Sequence, residues 1–155
     1  ALPYDGDELD MVVVVPRGDL STFEAQLDPA LVSTIFGGLR PAQVTLGFPK
    51  FETRYASSLV EPLGALGMRD AFTGAADLSG MDGTRRLFIQ NILHEAFVAV
   101  DEAGTEAAAA TAVVVDRTSA PGQRVRLTVD RPFLFFIRDR ATNAIVFMGR
   151  IVDPS

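Results

Sequence analysis

Residues 87–100 are the hardest stretch of this chain to place anywhere but inside a sheet. Read as a strand, one side carries Leu87, Ile89, Asn91, Leu93, Glu95, Phe97 and Ala99. The other carries Phe88, Gln90, Ile92, His94, Ala96, Val98 and Val100. Alternate side chains of a strand point to opposite faces, and both faces here are largely apolar. Such a strand needs cover above and below, as a central strand of a layered sheet has. The residues that follow, 100–115, have no such fixed preference. Ala is the best helix former and Thr105 could cap a helix over 105–110, yet β-branched runs at 98–100 and 113–115 flank it and favour strand. As a strand, Thr105, Ala107, Ala109 and Thr111 share one face and are small enough to slip beneath a packed layer. Gly104, just before them, can absorb a large backbone rotation.

The rest of the chain supplies short elements around that core. Residues 2–4 and 11–15 read as two strands around the turn Asp5-Gly6-Asp7-Glu8, and the valines at 12–15 suggest a strand buried on both faces. Ser21-x-x-Glu24 reads as a capping box, and Asp28-Pro29 opens a helix over 30–36 that ends at Gly37-Gly38. Residues 43–51 read as strand, with Pro49 marking a bulge or an edge. Ser58-x-x-Glu61 caps a third helix through Leu66, closed by Gly67. Residues 70–83 are loop with a helical turn. Residues 124–129 alternate as an edge strand would, and 133–137 with 145–151 form a hairpin across 140–143. The expected class is α+β, with mixed β-sheets and a few short helices.

Composition narrows the function. A length of 155 residues suits one domain, and 48% hydrophobic with 22% charged is ordinary globular content. A net charge of −6 argues against a nucleic-acid partner, which asks for a basic face. No apolar run approaches membrane-spanning length. The absence of Cys excludes disulfides and thiolate metal sites and leaves the compartment, extracellular or cytoplasmic, undetermined. The chain starts without Met and enters a strand at once, so it reads as begun in mid-fold, with its start and any targeting sequence upstream.

The residues that could carry chemistry mostly have plainer readings. His94 is the only histidine, and no Gly-x-Ser-x-Gly elbow accompanies it. One His without Cys builds no ordinary zinc site, so a buried imidazole satisfied by hydrogen bonds in a sheet is expected. The acidic cluster Asp5, Asp7, Glu8 and Asp10 lacks calcium-hand spacing and reads as a solvated turn. Arg17-Gly18-Asp19 reads as a turn after Pro16. Phe133, Phe135 and Phe136 lack the interleaved basic residues of a base-stacking platform and read as hairpin core. Asp101, Glu102 and Glu106 lie beside a glycine without the burial that tunes an acid/base pair. Neither an enzyme nor a cofactor is expected.

Several motifs in order do carry a resemblance. Glu102-x-Gly104-Thr105-Glu106-Ala107-Ala108-Ala109-Ala110-Thr111 resembles the reactive-loop hinge of the serpins, inhibitors that trap serine proteases by inserting their own loop into a sheet. Phe48-Pro49-Lys50-Phe51, Leu66-Gly67-Met68-x-Asp70-Ala71-Phe72 and Ala76-Asp77-Leu78-Ser79-Gly80 resemble the family's central signature. Residues 131–139 and 147–154 resemble its C-terminal strand pair, so the likeness runs from about Leu2 to Pro154. Complete serpins are more than twice as long. The resemblance therefore implies that residues 1–155 are the C-terminal part of a serpin-like domain whose N-terminal half is absent.

The resemblance also implies a mechanism and its residues. The reactive loop would span about 102–122, with the scissile bond at Thr118-Ser119 by family spacing, or at Arg117-Thr118, which would favour trypsin-like targets. The partner would be a serine protease, or a cysteine protease. His94, in Leu93-His94-Glu95-Ala96-Phe97, matches a structural histidine that bonds across the central sheet, with partners in the absent half. The alternatives are a non-inhibitory serpin-like interaction module and a non-functional fragment. Self-association through an exposed edge of the strand at 87–100 is expected as well.

Overall fold

The computed structural model describes residues 1–101, 104–105 and 125–154, with 104 and 105 described as backbone. The chain divides into two compact units, Ala1–Phe51 with Ala99–Ser155, and Glu52–Val98. The first contains strands β1 (Leu2–Pro3), β2 (Leu9–Val14) and β3 (Val44–Gly47), and helices α1 (Leu20–Glu24) and α2 (Pro29–Gly38). Strand β4 (Phe51–Ser58) opens the second unit, which continues with α3 (Val60–Ala65), a 3-10 turn over Asp70–Phe72 and α4 (Ser79–Asp82). Strand β5 (Leu93–Asp101) leads back to the first unit, followed by β6 (Gly104–Thr105), β7 (Val125–Thr128), β8 (Phe133–Asp139) and β9 (Ile145–Ile151). Mixed sheets and a few short helices make this an α+β fold.

The main sheet has the order β1-β2-β8-β9, antiparallel throughout. Strand β8 is its spine: Phe133, Leu134, Phe135, Phe136, Ile137 and Arg138 are all buried. One face packs against the helices, where Val12, Leu20, Phe36, Leu134 and Phe136 form a core with Val32 and Ile35 against it. Phe36 meets Phe136 edge-on, with ring centroids 5.8 Å apart. The other face is covered by Phe48 and Phe51, whose rings lie 5.6 to 5.8 Å from those of Phe133 and Phe135. The expected hairpin is present. Asn143 takes a positive φ of 60° in its turn, and the Asn143 N–H donates to the Asp139 carbonyl.

Several boundaries differ from the sequence reading. The cap of α1 is Asp19, whose carboxylate accepts from Thr22 N–H at 2.9 Å and from the Ser21 hydroxyl, so Ser21 lies inside the helix. Those bonds, the Ser21 hydroxyl foremost, hold the Asp19 carboxyl below its usual range, and they occupy the acid of Arg17-Gly18-Asp19. Helix α2 starts as expected, with Asp28 accepting from Leu31 N–H at 2.7 Å and Pro29 at its first position. The N-cap position of α3 is Leu59 and not Ser58, whose hydroxyl donates to Asn91 Oδ1 and accepts Val60 N–H only at 3.5 Å, while Leu59 N–H donates to the Ile92 carbonyl. The stretch 43–51 is broken at 48–50, between β3 and β4, where Pro49 supplies no N–H. Strand β3 pairs with β7 in parallel.

The strand expected at 87–100 begins only at Leu93. The residues ahead of it make other backbone bonds: Ile89 N–H donates to the Ala71 carbonyl, and the Ile92 carbonyl receives Leu59 N–H. Those two connections tie 87–92 to the loop and helix of the second unit instead of a ladder.

A Cβ added at Gly149 would stand 2.6 Å from Cζ of Phe135, its cross-strand partner. The Gly149→Ala variant is expected to lose about 1–3 kcal/mol through overpacking. Urea unfolding followed by circular dichroism checks this, and Phe135→Leu in the same chain should return part of the loss.

Candidate functional site

The segment singled out by sequence begins where β5 ends. In β5, Val98 and Val100 are buried while Leu93, His94, Glu95 and Phe97 are exposed. The last two residues of β5 pair antiparallel with β6, Val100 with Thr105 and Asp101 with Gly104. Strand β6 takes the next position after β5 in a sheet ordered β4-β5-β6.

The remaining residues of the expected reactive-loop hinge, Glu102, Glu106, Ala107, Ala108, Ala109, Ala110 and Thr111, lie outside the described residues. So do both candidate scissile bonds, at Arg117, Thr118 and Ser119. His94 corrects an expectation: its side chain is exposed, not buried. His94 shares a face with the buried Val98 and Val100, but it lies at the start of β5, where Leu93, His94 and Glu95 are all exposed whichever way they point. Arg54 of β4 lies over the exposed Phe97 ring, 4.8 Å from its centroid. Among the described residues there is no group of three or more His, Cys, Asp or Glu placed to hold a metal.

The sequence reading missed a polar centre in the main sheet. Asp10, taken above for part of a solvated turn, is 4% exposed and lies directly opposite Arg138, which is 9% exposed. Arg138 Nε donates to Asp10 Oδ1 at 2.7 Å and its Nη2 to Oδ2 at 3.0 Å, a two-pronged pair. The third nitrogen, Nη1, donates to Asn143 Oδ1 at 2.7 Å. The guanidinium also stacks over Phe36, 4.6 Å from its centroid. The Asp10 hydrogen bond holds the Arg138 pKa above its usual value. A signal did exist in the sequence: an acid at the head of the valine run and a base at the end of Phe133-Leu134-Phe135-Phe136-Ile137.

Beside this centre runs a groove of about 520 Å³ between α2 and the hairpin, lined by Leu27, Val32, Phe36, Phe136, Ile145 and Met148 among others. Ile145 reaches it through an irregularity in the β8–β9 register, where Ile137 pairs with Phe147 but Arg138 with Ile145. The residue skipped, Val146, lets Ile145 and Met148 share one face.

Comparisons with known proteins agree with one another. The family profile described as "Serpin (serine protease inhibitor)" matches residues 1–154. Human "Serpin B3" is 41% identical over 157 residues, covering 99% of this chain and 40% of that protein. "Leukocyte elastase inhibitor A" of Mus musculus is 40% identical over 162 residues, covering 99% and 42%. The native-state crystal structure of the thermophilic serpin Tengpin superposes with a TM-score of 0.77 at 28% identity, covering 97% of this chain and 40% of that one. A structure of thyroxine-binding globulin in complex with thyroxine gives 0.78 at 27%, covering 97% and 39%. The chain thus spans about 40% of the length of the relatives it matches.

Removing Asp10 leaves Arg138 buried without its counter-charge. Asp10→Ala is expected to cost about 3–5 kcal/mol. The double variant Asp10→Ala with Arg138→Met should recover most of that loss, as equilibrium unfolding of the two variants will show.

Proposed function

This chain belongs to the serpin family, and on that premise we propose that it is the C-terminal part of a serpin-like domain that inhibits serine-type proteases as a suicide substrate. The observation that carries the reading is the position of Gly104–Thr105 at the side of β5, antiparallel to Val100–Asp101. A segment entering that position can continue as a strand, with new main-chain hydrogen bonds and the burial of its inward side chains. The hinge suits this, since Thr105, Ala107, Ala109 and Thr111 are all small.

In the proposed reaction the protease serine Oγ attacks the carbonyl carbon of Thr118. The peptide bond to Ser119 breaks, the Ser119 amine leaves with a proton, and an ester joins the protease to Thr118. Insertion of 105–115 beside β5 then carries the attached protease along and distorts its active site before water can hydrolyse the ester. Cleavage at Arg117-Thr118 is the alternative register and would favour trypsin-like enzymes. The chain acts here as an inhibitor and not as an enzyme. The relative named an elastase inhibitor supports a serine protease as partner. Trapping requires the sheet to open beside β5, a step we assign to the longer fold that relatives possess.

Limited proteolysis is expected to cut first between 115 and 122, and mass spectrometry of the products separates the two registers. First cleavage elsewhere removes the loop assignment. When the chain is joined to the N-terminal segment of leukocyte elastase inhibitor A, Thr105→Arg should still be cleaved but form no detergent-stable protease complex. The inserted arginine would be a buried, unpaired charge costing several kcal/mol, and that cost falls on insertion, not on recognition. Undiminished complex in the variant overturns the hinge reading.

The groove beside α2 favours a second reading, a non-inhibitory binding module for an apolar small molecule. Its lining is mostly apolar with Ser33 and Asn143 among it, and thyroxine-binding globulin shares the fold. Titration calorimetry with thyroxine tests it: saturable binding is expected, lost in Val32→Arg.

A further inference from the structure

Strand β5 is held unequally by its two neighbours. On one side β6 pairs with it over two residues, Thr105 with Val100 and Gly104 with Asp101. Gly104 has no side chain and Thr105 a short one, so this junction rests on main-chain bonds. On the other side stands β4, its neighbour in the order β4-β5-β6. Here side chains cross from strand to strand. Arg54 lies over the ring of Phe97, with Cζ 4.8 Å from the centroid. Just ahead of β5, the Ser58 hydroxyl donates to Asn91 Oδ1 and Leu59 N–H to the Ile92 carbonyl. The junction is thus fastened by hydrogen bonds where β5 begins and by a cation–aromatic stack partway along it. Alternation puts Glu52, Ala56 and Ser58 on the face of β4 that carries Arg54. Arg54 is the one residue of that face suited to cover a ring, because a guanidinium is planar, weakly hydrated and carried on an apolar stem.

We propose that Arg54 is a positioning residue for loop insertion: through its stack on Phe97 it keeps β5 on β4, so that the sheet parts on the β6 side of β5 and not between β4 and β5. The role in insertion rests on the inhibitory reading above. A loop that joins the sheet beside β5 needs one fixed wall to pair with, and β5 is that wall only while it stays on β4. If β5 leaves β4 together with the parting neighbour, the gap opens on the wrong side and the loop gains no ladder. Insertion runs against hydrolysis of the ester that joins protease and loop, so each unproductive opening turns part of the chain into substrate. A cation–aromatic pair at a surface favours the closed β4–β5 junction by about 2- to 5-fold. That is a modest factor, but a race between two rates is decided by factors of this size.

Hydrogen exchange in the 155-residue chain reads the clasp directly, since a paired amide exchanges when its pair opens. Arg54→Met keeps an apolar stem and removes the charge. It is expected to speed exchange in β4 and β5 by about 2- to 5-fold. Phe97→Leu should do the same, and the double variant no more than either single one, because both remove one interaction. Phe97→Trp keeps a face for the cation and should stay near the unmodified chain. Single variants that leave exchange unchanged, or whose effects add in the double variant, overturn the clasp. Its role in insertion is read in the chain joined to the N-terminal segment of leukocyte elastase inhibitor A. There Arg54→Met should raise the ratio of chain cleaved to chain trapped by about 2- to 5-fold, with the rate of loop cleavage unchanged. An unchanged ratio beside faster exchange overturns the role in insertion alone. An unmodified joined chain that is cleaved but forms no detergent-stable complex overturns the inhibitory reading and that role with it, while exchange still decides the clasp.

Discussion

A strand that is apolar on both sides can exist in water only between two layers, and β8 imposes that condition on the larger unit. Its six consecutive buried residues bring three phenylalanines into the middle of the sheet. Burying one such side chain contributes about 1.5–3 kcal/mol, provided each face has its own cover. The helices supply one cover through Leu20 and Phe36, and Phe48 with Phe51 supply the other. The short elements between β2 and β4 thus follow from β8: a capped helix pair for one face, a Phe-Pro-Lys-Phe corner for the other.

Hydrophobic burial is indifferent to small slips, and a strand apolar on both faces is poorly registered by pattern alone. The Asp10–Arg138 pair removes that freedom. A slip of one residue would set the buried guanidinium against an apolar neighbour and leave a buried carboxylate unpaired, which is far costlier than any lost apolar contact. The pair also fixes the hairpin turn through Asn143 and the seat of α2 through Phe36. Gly149 acts in the same direction by steric means, since only a residue without Cβ admits the Phe135 ring at that position. One electrostatic and one steric constraint therefore register a sheet that the hydrophobic pattern leaves loose.

What could be read from the sequence followed from local rules. The Asp28-Pro29 start of α2, the positive-φ Gly67 and the C-terminal hairpin each depend on residues within one turn of each other. What could not be read depended on distant partners. Asp10 looked like a solvated acid because Arg138 lies 128 residues away. Ser58 reads as the N-cap of α3, but its hydroxyl donates to Asn91, 33 residues on. Residues 87–92 carried a strand pattern, but Ala71 and Leu59 took the backbone groups a ladder would have used. Pattern gives the apolar faces correctly; competition for hydrogen bonds decides where a strand begins.

The same competition bears on the proposed hinge. Strand β5 is buried at Val98 and Val100, and its end at Val100 and Asp101 pairs with β6. Under the proposed reading, a neighbour for that end of β5 has to be small on its inward face and to tolerate leaving the sheet as well as joining it. Thr105 with Ala107, Ala109 and Thr111 meets the first demand. The second follows from the same composition. Alanine gains little from burial compared with valine or phenylalanine, and it has a high propensity for helix. A run of alanines is therefore held in a sheet mainly by its main-chain hydrogen bonds, with little side-chain anchorage. Bulkier residues would gain more once inserted but would need a wider opening to enter. Under the proposed reading, small side chains keep the barrier to insertion low. The gain on insertion then comes from the backbone ladder, which forms in full only when the far end of the loop is released by cleavage.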